Sequence, residues 1–145
     1  MSITSGIGLR RIDHVGVAVP DLDEALDLYV NVLGGECTHS ETNSEQGVRE
    51  AMVSWPDGKS QVQILAPLDE SSTIAKFLDR NGPGLQQLAF EVADIDQACA
   101  VLRERGVRLL YAEPKIGTGG SLINFVHPKD VLGVLVELVQ TTDAH

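Results

Sequence analysis

Cysteine is scarce in this chain of 145 residues: Cys37 and Cys99 are the only two, and they form no CxxC pair. A disulfide framework is therefore not expected, and Cys99, on the apolar face of a helical pattern, reads as a reduced core thiol. Basic residues are also few. Eleven Lys and Arg stand against 21 Asp and Glu, for a formal net charge of −10, which argues against a polyanion partner such as a nucleic acid. A small anionic ligand is still compatible where a few cations converge, the candidates being Arg49, Lys76, Arg80, Lys115 and Lys129. Taken singly, each of these is an ordinary solvated side chain.

Long apolar runs are missing as well. Nothing approaches the roughly 18 residues of a membrane span, and the opening "MSITSGIGLRRIDH" has no apolar stretch behind its basic residues, as a signal peptide would. The expectation is a cytoplasmic protein with no membrane partner. A 43% hydrophobic fraction with six dispersed prolines suits a globular chain, the size of one domain or of two half-domains sharing a core.

What the sequence does have is a repeat. "IDHVGVAVPDLDEALDLY", from Ile12, returns as "LQQLAFEVADIDQACAVL", from Leu85. With His14 set over Gln87, Val19 meets Val92, Asp21 meets Asp94, Leu22 meets Ile95 and Ala25 meets Ala98. Each copy reads as an alternating strand, an acidic N-cap with a polar residue three positions on (Asp21 with Glu24, Asp94 with Gln97), and an amphipathic helix. The first helix carries Leu22, Ala25, Leu26, Tyr29, Val30 and Leu33, and the second Ile95, Ala98, Cys99 and Leu102. Gly34 and Gly106 close them.

Strand-like runs follow each helix: 36–42, 48–55 and 61–66 in the first half, 107–110, 122–126 and 134–139 in the second. The chain thus reads as βαβββ written twice: a module over 10–66, a connector over 67–84 and a module over 85–140, in a single domain spanning 1–145. The connector should carry a short helix from about 72 to 80, closed by Asn81 and Gly82. The final strands correspond too, "QVQILAP" over "VLVELVQ", which sets Gln63 on Glu137.

Strand residues alternate faces. Val15, Val17 and Val19 share one side of the first strand, as Leu88, Phe90 and Val92 share one side of its repeat, and these apolar sides should carry the helices. His14 and Gln87 then point the other way. If the halves pair about a pseudo-twofold axis, His14, Gln63, Gln87 and Glu137 converge on one cavity. Glu137 interrupts the apolar strand "GVLVELV", and a carboxylate buried alone costs several kcal/mol. Neither repeat register supplies a Lys or Arg beside it. A divalent metal held by an imidazole, two amide oxygens and a carboxylate would satisfy it. Singly, each residue has a plain structural explanation: a hydrogen-bonded strand-start histidine, an edge-strand glutamine, a polar strand entry, an exposed terminal glutamate. Their equivalent positions in the repeat favour a shared site.

At these residues the sequence resembles the vicinal oxygen chelate superfamily and, within it, the methylmalonyl-CoA epimerases. The resemblance runs from Ile12 to Gln140 through "IDHVGVAV", "DLDEAL", "EQGVREAM", "VQILAPLDESSTIAKFL", "GVRLLYAEPKIGTGG", "INFVHPK" and "GVLVELVQ". It implies an α+β fold in which two βαβββ modules form a curved mixed sheet around a metal-binding cavity, usually in a homodimer. It also implies a metal-dependent epimerase that interconverts (2R)- and (2S)-methylmalonyl-CoA through an enolate. The implied metal ligands are His14, Gln63 and Glu137. Gln87 stands where the family commonly has a histidine in an "LHHIAF"-like strand. A set of one nitrogen and three oxygens favours harder ions than a two-histidine set. Co2+ is the ion implied by resemblance, with Mn2+, Mg2+ and Zn2+ as alternatives.

The resemblance assigns acid and base roles to Glu50, in "EQGVREAM", and Glu137. By alternation Glu50 shares a face with Val48 and Met52, where partial burial would raise its pKa. For the phosphates of coenzyme A the candidates are Lys76, near the start of the connector helix, and Lys115 in the glycine-rich "PKIGTGGS". That stretch lacks the setting of a dinucleotide site and reads as a loop. His127 belongs to a turn; His39 and His145 fall in no pattern. Competing functions are a glyoxalase-like isomerase of a thiol hemithioacetal and a metal-free binder that sequesters a drug. An extradiol dioxygenase fits less well, since its iron normally takes two histidines and a carboxylate.

Overall fold

The structure, a computed structural model, describes residues 6–141. They fall into two compact units, residues 14–86 and residues 6–13 together with 87–141. The strand β1 (Leu9–Ala18) is divided between them. Its early part belongs with the later unit because Ile7 packs into that unit's core, Ala93 N donates to Gly8 O at 3.0 Å, and Arg11 pairs with Glu91.

In the earlier unit the strands run in the order β2 (Glu36–Asn43), β3 (Val48–Ser54), β4 (Gln61–Pro67), β1, with β1 parallel to β4 and the others antiparallel. In the later one the order is β5 (Gly84–Val92), β8 (Val136–Gln140), β7 (Leu122–Val126), β6 (Lys115–Ile116), with β5 parallel to β8. Each half of the chain has the element order βαβββ, with a helix between β1 and β2 in the first and between β5 and β6 in the second. The connector helix α2 (Thr73–Asn81) is capped by Ser72 Oγ, which accepts from Ala75 N at 3.0 Å, and is ended by Gly82 at φ 74°.

Each module's helix sits where alternation predicts. α1 (Leu22–Leu26) starts at Asp21, whose Oδ1 accepts from Asp23 N and Glu24 N, and buries Leu22 and Ala25 against Ala51, Val53, Ile64 and Ala66. α3 (Ile95–Glu104) starts at Asp94, whose Oδ1 accepts from Gln97 N at 3.1 Å, and buries Ile95, Ala98 and Cys99 against Val92, Val126 and Leu138. The Cys99 thiol is a core group whose pKa burial raises.

Two expectations are corrected. The first helix does not continue regularly to Leu33: from Asp27 to Val32 it widens into a π-helix, with Leu33 N donating to Leu28 O at 2.9 Å. The wide turn lets Trp55 Nε1 take Leu33 O at 3.0 Å and Gly35 N take Tyr29 O at 2.9 Å. At Gly35 the chain presses so close to β3 that a Cβ would overlap Val53 Cγ1. Nor is 107–110 a strand; it makes only an isolated bridge, Leu109 with Val126, and the short edge strand is Lys115–Ile116. Two backbone bonds make the bridge, Leu110 N to Phe125 O at 2.7 Å and His127 N to Arg108 O at 2.8 Å, and side chains add to it. Arg108 N donates to Asp130 Oδ2 at 2.8 Å, and the amide of Asn124 both accepts from Tyr111 N and donates to Tyr111 O.

Candidate functional site

In the earlier unit, the face opposite α1 carries the polar residues. Gly16 on β1 and Met52 on β3 lie directly across from Gln63 on β4, and Leu65 lies across from Glu50. Residues two apart on a strand share a face, so His14, Glu50 and Gln63 all project from this side. They are 4%, 4% and 5% exposed, among the few buried polar side chains of the chain. Gly16 has no side chain, which leaves the row beside Gln63 open on β1. One end of the face is closed by α2, whose Ile74, Phe77 and Leu78 pack on Ala18, Val48 and Leu65. Glu50 is therefore more buried than partial burial of a strand glutamate would suggest.

In the later unit, Glu137 on β8 lies between Ala89 on β5 and Phe125 on β7, on the side away from α3. Around it Ala89, Ile123, Val139 and Phe125 form an apolar cluster. Gln87, two residues before Ala89, shares this face, and its Nε2 donates to Glu137 Oε1 at 2.7 Å, with both side chains buried. The carboxylate fixes the orientation of the amide. Its NH2 must face Glu137, so its carbonyl oxygen, the atom that ligates metals, is turned away from it.

In the earlier unit His14 and Gln63 offer an imidazole nitrogen and an amide oxygen, and in the later unit Gln87 and Glu137 offer an amide oxygen and a carboxylate, donor types that hard or borderline cations accept. Among the described residues, no three His, Cys, Asp or Glu side chains come together as a metal-holding group.

The candidate anion-binding cations are dispersed. Lys76 is exposed on α2, beside an N-terminus where Ser72 already accepts from Ala75 N. Lys115 is exposed on β6, its Nζ 4.3 Å from the centre of the Tyr111 ring. The stretch after it is not an open loop: Thr118–Gly120 forms a 3-10 turn, with Gly117 N bonded to Ser121 O at 2.8 Å. Arg49, Arg80 and Lys129 are exposed, and Arg49 alternates to the face opposite Glu50. His127 caps a turn, as expected, its Nδ1 accepting from Lys129 N. His145 lies outside the described residues.

Two charged groupings were not anticipated. Arg11 joins the buried Asp13 to Glu91, each at 3.2 Å, an arrangement spanning 80 residues that no local pattern signals. His39, which fell in no pattern, makes a very close contact through Nε2 with Glu41 Oε1, and Glu41 lies directly across from Glu50. That second grouping left a trace in the sequence. Asn43 pairs with Val48 across a four-residue turn, where Asn43 Oδ1 accepts from Gln46 N and Gly47 takes φ 72°, and this register sets Glu41 opposite Glu50.

A sequence profile of the Glyoxalase/Bleomycin resistance protein/Dioxygenase superfamily matches residues 13–125. The chain is 42% identical over 134 residues to the ethylmalonyl-CoA/methylmalonyl-CoA epimerase of Cereibacter sphaeroides, covering 91% of this chain and 98% of that one. It superimposes on the crystal structure of methylmalonyl-CoA epimerase from Mycobacterium tuberculosis with a TM-score of 0.92 at 52% identity, over 99% of this chain and 94% of the other. A variant of Streptomyces coelicolor methylmalonyl-CoA epimerase, solved in complex with 2-nitronate-propionyl-CoA, gives 0.88 at 47% identity over 93% and 99%. The chain belongs to the Glyoxalase/Bleomycin resistance protein/Dioxygenase superfamily.

Proposed function

We propose that this protein is a methylmalonyl-CoA epimerase, interconverting the two C2 epimers of a 2-substituted malonyl-CoA. The observation that carries the reading is the set of buried polar side chains, His14, Glu50 and Gln63 in one unit and Gln87 and Glu137 in the other, in a chain 52% identical to a methylmalonyl-CoA epimerase. A buried carboxylate is costly unless it is paired, and Glu50 and Glu137 are both buried. Here they would remove and return a proton.

The hydrogen on C2 is acidic because it lies between a thioester and a carboxylate, and its loss leaves an enolate. Inversion needs a proton removed from one face and another delivered to the opposite face, most simply by two groups. Glu50 and Glu137 are those groups in this reading. His14, Gln63, Gln87 and Glu137 would hold a divalent ion, cobalt first among the candidates, and that ion would supply positive charge beside the thioester oxygen. Gln87 would orient Glu137 through its amide nitrogen while presenting its oxygen elsewhere. Lys76 and Lys115 would meet the phosphates of coenzyme A. A homodimer in the cytoplasm completes the reading by resemblance.

The Cereibacter relative is named for both ethylmalonyl-CoA and methylmalonyl-CoA, so the group on C2 is methyl or ethyl. Incubation of either acyl-CoA in D2O tests the proposal, with deuterium expected at C2 as the epimers equilibrate. Lactoyl-thiol formation from methylglyoxal in the absence of that exchange would mean a glyoxalase-like isomerase instead.

A further inference from the structure

An epimerase with two bases ends each turnover with its protons in the wrong places: the group that took the C2 hydrogen is protonated and the group that delivered one is not. Before the same epimer can react again, both must exchange with water. Glu50 is 4% exposed. We propose that Glu41 and His39 carry protons between Glu50 and water, a role that rests on reading Glu50 as one of the two bases.

The three residues form a graded path across two strands of one unit. Glu41 lies directly across the β2–β3 ladder from Glu50, and side chains so paired share a face with their β-carbons about 5 Å apart. The Glu41 side chain is 30% exposed, and that of His39, two residues earlier on the same face and held by Nε2 against Glu41 Oε1, is 42% exposed. Exposure thus rises from base to carboxylate to imidazole. Glu41 stands between the buried Glu50 and the exposed imidazole of His39, and an imidazole has both a donor and an acceptor nitrogen with which to pass a proton on. Among the described residues, the other charged side chain on the β2–β3 part of this face is Glu36, across from Ser54 and beyond His39 from Glu50. The face's remaining members are Asn43, Val48, Met52, Gln63 and Leu65; Arg49 alternates to the other side, α2 contributes apolar Ile74, Phe77 and Leu78, and His14 is separated from Glu50 by β4.

The steps balance. Protonated Glu50 gives its O–H proton to the Glu41 carboxylate and becomes a carboxylate again. Glu41 passes the proton to His39 Nε2, the imidazolium releases its Nδ1 proton to water, and exchange of the exposed ring with water returns it to the Nδ1–H tautomer for the next turnover. The reverse sequence reloads Glu50.

The test is steady-state kinetics of His39→Ala and Glu41→Gln in the intact enzyme, both at exposed edge-strand positions, with thermal melts to check the fold. A slowed proton return lies after product release, so kcat should fall about tenfold while kcat/KM holds. Imidazole added to His39→Ala should restore kcat. Equal losses in kcat and kcat/KM, unchanged values of both, or indifference to imidazole would overturn the relay. Glu50→Gln, run in parallel, separates the two ideas. If it turns over at the wild-type rate, the reading of Glu50 fails; if it is inactive while the other two variants behave as wild type, only the relay fails.

Discussion

Gln87 and Glu137, 50 residues apart in the chain, are joined in the structure by a buried 2.7 Å hydrogen bond from amide nitrogen to carboxylate. In the repeat they occupy the positions of His14 and Gln63, so the later unit answers an imidazole and an amide with an amide and a carboxylate. Replacing Gln87 by Leu removes the donor and leaves the carboxylate in an apolar cluster. We expect a loss of about 2 kcal/mol in the metal-free protein, read from the midpoint of urea unfolding. Gln87→His should restore a donor near Glu137 and, by adding a second ring nitrogen, tighten cobalt and zinc binding relative to manganese in calorimetric titrations. Equal urea midpoints for wild type and Gln87→Leu would show the bond to be idle.

Glu50→Gln keeps the shape of the side chain and removes the base. Turnover should drop by at least about 100-fold, with thermal stability equal to or above that of the parent, since a neutral amide is easier to bury than a carboxylate. Metal content should not change. A parallel loss of metal would place Glu50 among the ligands instead.

Asn124 is fully buried and joins three segments: Nδ2 donates to Tyr111 O at 3.0 Å and to Cys99 Sγ at 3.6 Å, while Oδ1 accepts from Tyr111 N at 3.1 Å and Phe125 N at 2.8 Å. Asn124→Leu removes the oxygen that accepts from Tyr111 N and one of the donors to Tyr111 O, which keeps its bond from Arg103 Nη2 at 3.0 Å. A destabilisation of about 2–3 kcal/mol is expected, with the stretch before β6 the first to exchange its amide hydrogens.

These side-chain bonds mark where the sequence stopped being readable. The repeat gave both βαβββ modules because each part of it is local: the N-caps Asp21 and Asp94, the helix-closing Gly34 and Gly106, and the two-residue alternation that sends His14, Gln63, Gln87 and Glu137 away from the helices. What it hid depends on partners distant in the chain. The π-helix at Asp27–Val32 meets Trp55 and the close approach of Gly35, and residues 107–110 make only a single bridge, beside which Arg108 is held by Asp130. The polar character of His14 and Glu50 was visible, but the depth at which Glu50 is buried goes with α2 packing on its neighbours Val48 and Leu65.

The Asp130 anchor gives a pH dependence. Three donors of Arg108, its side-chain Nε and Nη2 and its backbone N, hold the Asp130 carboxyl at about 2, below its ordinary 3.8. A group whose pKa is depressed by folding adds stability that is complete above its unfolded value and is lost as pH falls through the folded one. Wild type should therefore exceed Asp130→Asn in stability at neutral pH, and the gap should close between pH 3.8 and about 2. Asp57, lowered to about 2 chiefly by Ser60, titrates in the same window in both proteins and cancels from the difference. A gap that persists unchanged at the acid end would contradict the assignment.

The central claim is that buried carboxylates make the C2 hydrogen of a substituted malonyl-CoA exchangeable. It is tested most directly by following C2 of (2S)-methylmalonyl-CoA by proton NMR in D2O, with purified enzyme and a Glu50→Gln control. The account predicts that wild type replaces the C2 hydrogen with deuterium while the (2R) epimer accumulates, and that the control does so at least about 100-fold more slowly. A C2 hydrogen that stays in place through prolonged incubation with metal-supplemented wild-type enzyme would contradict it.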